Sequence, residues 1–338
     1  MNLVTGATGI IGSHVVLELL QTGQEVVACK RKQSDTKKTE KLFSYYSTEY
    51  KKLFAKIKWI ELDIFDSFSV EEALFGIKNV YHCAGLVSFN NRDKKKLFQI
   101  NELGTRNIVN ACLQEKVETL CHVSSLSVMH NLDFKLPITE EVFWKSSGKE
   151  SNYAKSKYNA EKEVWRGMEE GLNAVIVNPG IVLSPGFWNQ SSSTIFNTCY
   201  RGNKFYTSGK SAFVAAADVA KIMIELVEKR QFGNRYILSE NNYSFKEVFD
   251  KIQTCFDKPV PTIRANMAIL KVGWLVDSII SFVSGKSPIL TMSVIHSSQN
   301  RQTYSNKKIN HTLNYRFKAI SREIEDICAS YLIEMKKN

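Results

Sequence analysis

Apolar and polar positions follow two rhythms along the first part of this chain. Short β-branched or apolar runs at 2–5, 25–29, 58–62, 79–82, 120–123 and 174–178 predict strands. Between them, apolar residues recur at helical spacing over 10–22, 69–74, 101–115 and 153–170. The first of these helices stops at Gly23, a residue suited to the chain reversal after a helix. Strands alternating with helices predict an α/β fold, a parallel sheet covered on both faces. After Pro179 the rhythm breaks. Gly, Pro, Ser and Asn interrupt an aromatic-bearing stretch over 183–211, which reads as an irregular excursion. A helix over 218–228 and a strand over 234–238 follow, then a helix over 245–255 and a mainly helical tail over 265–331. The pattern divides the chain into 1–182, with 212–238 returning to that unit, and a smaller lobe of 183–211 and 239–338.

One segment, 267–284, is conspicuously apolar, but Lys271, Gly273 and Asp277 interrupt it. A spanning helix needs about 20 predominantly apolar residues, and a charge at its centre is costly. No integral membrane span is therefore expected. The segment reads as a buried or substrate-covering helix, with peripheral membrane contact as the alternative.

Composition adds bounds. The chain has 338 residues and a formal net charge of +11. Its lysine-rich stretches, 30–38, 51–58 and 93–96, lie between apolar runs, where a solvated face belongs. No base-reading or stacking module accompanies them, so nucleic acid is not an expected partner. Seven cysteines are scattered without a CxxC pair, which points to reduced thiols rather than a disulfide framework or a zinc site. The first strand begins beside Met1, leaving no room for a signal peptide, and a cytoplasmic protein is expected.

Between the first strand and first helix stands Thr5-Gly6-Ala7-Thr8-Gly9-Ile10-Ile11-Gly12. Glycines in that context allow a tight turn and close approach of backbone to a pyrophosphate, with a helix N-terminus behind it. An acidic residue at the end of the second strand would favour NAD. This chain has Lys30 and Arg31 there, which suit a 2′-phosphate, so NADP(H) is favoured and NAD(H) remains possible. Asp63-Ile64 follows the third strand, where the carboxylate suits an adenine amino group or a helix cap. The fourth strand ends in His82-Cys83-Ala84-Gly85, whose small residues let a cofactor cross the strand ends. His82 and Cys83 have no accompanying ligand cluster, so no metal is expected.

The chemistry-bearing pair is Tyr153 and Lys157, one helical turn apart and so on one helix face. A tyrosine has an unperturbed pKa of about 10. A neighbouring ammonium favours the phenolate and is expected to lower that value, making the phenol a usable acid–base group. Ser124 and Ser125 close the fifth strand and offer a hydroxyl to a substrate oxygen.

Together with Asn101-Glu-Leu-Gly-Thr-Arg-Asn107 and Asn178-Pro-Gly-Ile-Val182, these motifs resemble the extended short-chain dehydrogenase/reductases of the NAD-dependent epimerase/dehydratase family. The order is right across the first two-thirds of the chain. The last third matches mainly through Phe213-Val-Ala-Ala-Ala-Asp-Val-Ala220. The resemblance implies a Rossmann-type doubly wound parallel sheet with a smaller, mainly helical C-terminal substrate lobe. It implies catalysis by Ser125, Tyr153 and Lys157, with Ser125 chosen because Ser125-Leu-Ser-Val128 fits the family's Ser-x-x-Val. Lys157 would also hold the nicotinamide ribose, and Ser124, Tyr153, Pro179 and Val182 would lie along the cofactor with Gly6, Thr8, Gly9, Ile10, Ile11 and Gly12. Val87, Phe187 and Trp188 are expected on the substrate side. A homodimer built from the helices at 101–115 and 153–170 is also implied.

Within the family, the chain is similar to dihydroflavonol reductases and 3β-hydroxysteroid dehydrogenases. The basic end of the second strand, Leu126-Ser127 in place of acidic residues after the serine, and the lack of an arginine over 208–213 all lean that way, with Arg201, Arg264 and Arg301 left as alternatives for gripping a diphosphate from elsewhere. The expected activity is an NADP(H)-dependent oxidoreductase acting on a carbonyl or secondary alcohol of a small or hydrophobic molecule. The alternatives are a nucleotide-sugar epimerase or dehydratase with tightly bound NAD, and a non-catalytic dinucleotide-binding sensor.

Overall fold

In the computed structural model, residues 1–129, 136–146, 148, 150–284 and 290–336 are described. The first part runs β1 (Asn2–Thr5), α1 (Ile10–Gln21), β2 (Val26–Lys30), α2 (Lys37–Tyr46), α3 (Tyr50–Ala55), β3 (Lys58–Glu61), α4 (Ser67–Leu74) and β4 (Asn79–His82). It continues through α5 (Lys94–Leu97), a wide π-helical segment (Phe98–Leu103), α6 (Gly104–Gln114), β5 (Thr119–Val123), α7 (Asn152–Glu169) and β6 (Ala174–Pro179). Beyond it lie β7 (Ile181–Leu183), α8 (Thr194–Tyr200), β8 (Phe205–Tyr206), β9 (Lys210–Ala215), α9 (Ala216–Glu228) and β10 (Asn234–Leu238). The chain ends with β11 (Asn241–Ser244), α10 (Phe245–Cys255), β12 (Ile263–Arg264), α11 (Met267–Ser284), α12 (Met292–Gln299), α13 (Lys307–Leu313) and α14 (Ile320–Met335).

Seven strands form the main sheet in the order β10-β6-β5-β4-β1-β2-β3, every neighbouring pair parallel. This is the Rossmann-type order, and strand order reverses between β1 and β4. β1, β5 and β6 are buried at every residue, as strands covered on both faces must be. One face is sealed by α1 and α9 through Val15, Leu19, Met223 and Leu226; the other, by α4, α6 and α7, through Val70, Ile108 and Val164. A separate core gathers Trp188, Phe196, Phe213, Ile252, Ile324 and Tyr331 beside the sheet.

The lysines of 30–38 and 51–58 are exposed or half-exposed, as a solvated face requires, but the chain between β2 and β3 also carries α2 and α3, two helices the apolar period did not predict, with Thr39, Leu42 and Phe43 of α2 buried. Two expectations need correction. The excursion over 183–211 carries β7, α8 and β8; with β11, β7 and β9 make a three-stranded sheet, and β8 pairs with β12. Finally, α11 is not buried: Leu270 faces inward, but Ile269, Val272, Leu275 and Val276 are exposed. Residues 285–289 of the expected helical tail lie outside the described residues.

Candidate active site

The glycine turn sits at the C-terminal end of β1, beside the reversal of strand order. Gly6 adopts φ +64°, and a Cβ there would lie 2.7 Å from the backbone nitrogen of Ala84. A Cβ on Gly12 would lie 2.2 Å from the Gly6 carbonyl oxygen. Neither position tolerates a side chain without moving backbone. The first turn of α1 carries no acidic side chain, and its N-cap Gly9 makes no side-chain cap. The helix thus presents N–H groups and a positive dipole end to the opening, a cradle that fits a pyrophosphate.

β4 is tied to this turn through a chain of side chains. Thr5 Oγ1 accepts from the Ala84 N–H (3.1 Å) and lies 2.7 Å from His82 Nδ1. His82 Nε2 lies 3.0 Å from Thr105 Oγ1, whose proton goes to the Asn101 carbonyl oxygen at 2.6 Å. With the Thr105 hydroxyl committed as donor, the histidine must carry its proton on Nε2 and accept from Thr5 on Nδ1. Burial, with the charge of Lys157, pushes His82 down to about 3, so it stays neutral. Asn101, in the π-helical segment, clamps Leu86: its Oδ1 accepts from the Leu86 N–H (2.7 Å) and its Nδ2 donates to the Leu86 carbonyl (3.0 Å).

Tyr153 and Lys157 project from the first turns of α7, which Ser151 caps through the Ala154 N–H. Lys157 is buried, and its Nζ donates to the carbonyl oxygen of Val123 at the end of β5 (2.6 Å). Burial lowers its pKa from 10.5 to about 8, against the opposing pull of Glu161 and Cys83. The expected lowering of Tyr153 by its lysine is not what the geometry gives. Burial raises the phenol, and the opposing influence is a side-chain hydrogen bond with Ser125. The ring of Phe89 meets Tyr153 edge-on at 5.6 Å. Ser125 lies just before a turn at 126–128, its Oγ accepting from the Ser127 N–H.

Ser124 is turned differently. Its hydroxyl donates to Glu161 Oε2 at 2.7 Å. Glu161 also accepts from Asn178 Nδ2 (3.0 Å), Trp165 Nε1 (3.3 Å) and Arg235 Nη1 (3.0 Å), the last an ion pair between a buried carboxylate and a half-buried guanidinium. Neither Glu161 nor Asn101 was singled out in the sequence as a site residue. Glu161 had a readable signal, an acid at i+8 from Tyr153 on the face that carries Lys157 at i+4.

One cleft of about 2400 Å³ joins these groups. Along it lie the turn residues Gly6, Thr8, Gly9, Ile10, Ile11 and Gly12, then Lys30 and Arg31 after β2, Asp63 and Ile64 after β3, and Cys83, Ala84, Gly85 and Val87 after β4. Ser124, Ser125, Tyr153, Lys157, Pro179 and Val182 complete that side. Lys30 is bound to Glu61 across the β2–β3 pair at 3.3 Å, whereas Arg31 is exposed at the cleft, its backbone N–H donating to Ser34 Oγ, and Lys38 lines the same cleft. Asp63 makes a local turn with the Phe65 N–H, and the next helix is capped by Asp66 instead.

Phe187 and Trp188 do not line this cleft. Phe187 is 3% exposed in the main core, and Trp188 is 6% exposed in the second core, against Phe196 and Tyr331. Phe187 packs into the main core and Trp188 into that of the smaller lobe, so neither is on the substrate side. The far wall comes instead from Ile195, Phe249, Leu270, Leu290 and Met292, with Arg301 and Gln302 beyond.

Comparisons with known proteins agree with this geometry. Residues 2–238 match the NAD dependent epimerase/dehydratase family. Sterol demethylase protein B from Methylococcus capsulatus is 26% identical over 265 residues, 77% of this chain and 76% of that protein. Dihydroflavonol 4-reductase from Gerbera hybrida is 26% identical over 261 residues, 72% of this chain and 69% of that enzyme. Among solved structures, gox2253 superposes with a TM-score of 0.80 at 24% identity, covering 99% of this chain and 98% of its own.

Proposed function

The chain belongs to the NAD dependent epimerase/dehydratase family of NAD(P)-dependent enzymes, and we propose that it works there as an NADP(H)-dependent carbonyl reductase or alcohol dehydrogenase. The observation that carries this reading is the convergence of Ser125, Tyr153 and Lys157 on the cleft that begins at the glycine turn, with the buried Lys157 Nζ held by the Val123 carbonyl oxygen one turn from Tyr153. The residues of that turn fit a dinucleotide, which supplies or accepts the hydride when bound. Ser125 and Tyr153 together point two hydroxyls at one substrate oxygen. In the reductive direction Tyr153, kept protonated by burial, gives its proton to that oxygen while Ser125 stabilises the developing alkoxide. Lys157 holds positive charge beside them and is placed to grip a ribose hydroxyl. Leu126-Ser127 after Ser125 supports a carbonyl compound over a nucleotide sugar, and Ile195, Phe249, Leu270 and Met292 give an otherwise polar far wall an apolar part for a hydrophobic substrate. Arg31, exposed at the cleft with Ser34 beside it, supports NADP(H) over NAD(H). The same reading assigns the main sheet to cofactor, the smaller lobe to substrate, and the outer faces of α6 and α7 to a cytoplasmic homodimer.

Tyr153→Phe is expected to keep NADPH affinity and to lose about 10²–10⁴-fold in kcat with aldehydes or ketones. Unchanged turnover, read as NADPH absorbance, would overturn the assignment of the proton donor. Arg31→Ala is expected to lower NADPH affinity by about tenfold and leave NADH affinity almost unchanged. Titration with both dinucleotides checks the ratio, and an unchanged ratio removes Arg31 from cofactor selection.

A further inference from the structure

A helix as rich in apolar residues as α11 normally finds cover for them. Among its described side chains, one side of α11 lacks that cover. Its inner side places Leu270 against Ala265, Leu290, Met292 and Ile295, and Asp277 turns inward to accept from the Leu290 N–H. Its outer side, Ile269, Val272, Leu275 and Val276 at helical spacing, faces solvent, with Val272 63% and Leu275 55% exposed. The chain enters α11 from β12, whose Ile263 stands opposite Phe205 of β8, and both of these are exposed as well. Val260, just before β12, adds a further exposed apolar side chain. Scattered surface apolar residues need no explanation, but a run of this kind marks an interaction surface.

The charges around this face are mainly of one sign. Lys204 adjoins Phe205, Arg264 follows Ile263, Lys258 precedes Val260, and Lys271 lies on the edge of α11; all four are exposed. One exposed carboxylate, Asp257, lies among them. An apolar helix face with a cationic margin suits the boundary between the headgroups and acyl chains of an anionic bilayer. Among the described residues, no helix is long and apolar enough to cross a membrane, so the contact is one of lying on the surface.

We propose that the outer face of α11, continued by the β8–β12 pair, docks this protein on anionic lipid membranes. The helix dips its apolar side below the headgroups, and Lys204, Lys258, Arg264 and Lys271 meet lipid phosphates. Leu270 and Leu290 line the catalytic cleft on the other side of the same helix, so docking brings the cleft against the bilayer. This surface does not depend on the reaction assigned above, and it is read without measuring turnover.

The test uses the full chain with vesicles of phosphatidylcholine alone and of phosphatidylcholine with phosphatidylserine, in a flotation assay. Binding is expected to the anionic vesicles, weakening as salt rises. Val272→Ser combined with Leu275→Ser is expected to reduce partitioning by about tenfold or more. Both side chains are exposed, so the melting temperature and NADPH affinity of this variant should match the parent. Lys204→Glu with Lys271→Glu should remove the preference for anionic vesicles. Trp274 fluorescence should be quenched by brominated acyl chains. The proposal is overturned by absence of binding to either vesicle, by equal binding to both, or by binding that survives the Val272 and Leu275 substitutions. It is equally overturned if those substitutions convert a stable dimer into monomers, which would make the face a contact between copies of the chain.

Discussion

Lys157 carries its charge where burial opposes it, and that opposition has a measurable sign. Its pKa falls from 10.5 to about 8 on folding. Between those values the unfolded chain holds a proton that the folded chain has lost, so this group adds to stability as pH rises through the window. Below about pH 8 the buried charge costs stability in full. Lys157→Met should therefore unfold at higher denaturant at pH 7, by up to about 3 kcal/mol, with the gain fading as pH approaches about 10.5. A gain that is constant with pH would mean that Lys157 is not titrating from its buried place. Reductive turnover should move the other way and decline above about pH 8, as the cation is lost. The pair Tyr153 and Lys157 was legible in the sequence as i and i+4 on one helix. The direction of the Tyr153 shift was not, because it follows from how deeply α7 settles against β5, and spacing alone carries no measure of burial. Phe187 and Trp188 failed for a related reason: large aromatics in an irregular segment look alike whether they face a ligand or a core.

At the scale of elements, three consecutive turns of α7 share one face, and each does different work. Tyr153 faces the cleft, Lys157 reaches the end of β5, and Glu161 locks the helix to the sheet through Ser124, Asn178 and Arg235. Glu161→Ala would leave the half-buried Arg235 guanidinium with only the Glu140 and Val142 carbonyl oxygens and free both Ser124 and Asn178. A loss of about 3 kcal/mol is expected from urea unfolding. In Glu161→Ala with Arg235→Ala, the combined loss should be smaller than the sum of the single losses. Additive losses would show that the ion pair does not couple α7 to β10. Most element positions were legible: β1, β4, β10 and α10 fall where the apolar period ends, because short strands and a capping serine at Ser244 leave clear edges. The π-helical segment before α6 was not, since an extra residue in a turn leaves the apolar period almost unchanged while turning Asn101 toward Leu86.

For the whole molecule, the question is how a sheet built from residues 2–238 holds a lobe built largely from the last third. A parallel sheet was readable from alternating periods and its doubly wound form was implied by the family resemblance, but the return of 320–335 to the N-terminal half was not legible, because the contacts that fasten it, one carboxylate among them, are long-range. Glu334, in the last turn of α14, accepts from Tyr45 of α2 at 2.5 Å and from Trp188 Nε1 at 2.8 Å, and it pairs with Lys41. Burial alone would raise its pKa, but hydrogen bonds from Lys41, Tyr45 and Trp188 outweigh it and hold the carboxyl below its ordinary value. The unfolded chain therefore binds the proton first as acid is added. The contribution is present above the unfolded pKa and is lost as pH falls through the lower folded value. Glu334→Gln should lower the melting temperature at pH 7 by an amount corresponding to about 1–3 kcal/mol. The difference from the parent should narrow as pH is lowered below the ordinary carboxylate range. Trp188 fluorescence in the same samples reports whether the lobe loosens first. A difference that stays constant down to pH 3 would mean that Glu334 acts through packing, and that charge does not fasten the end of the chain to α2.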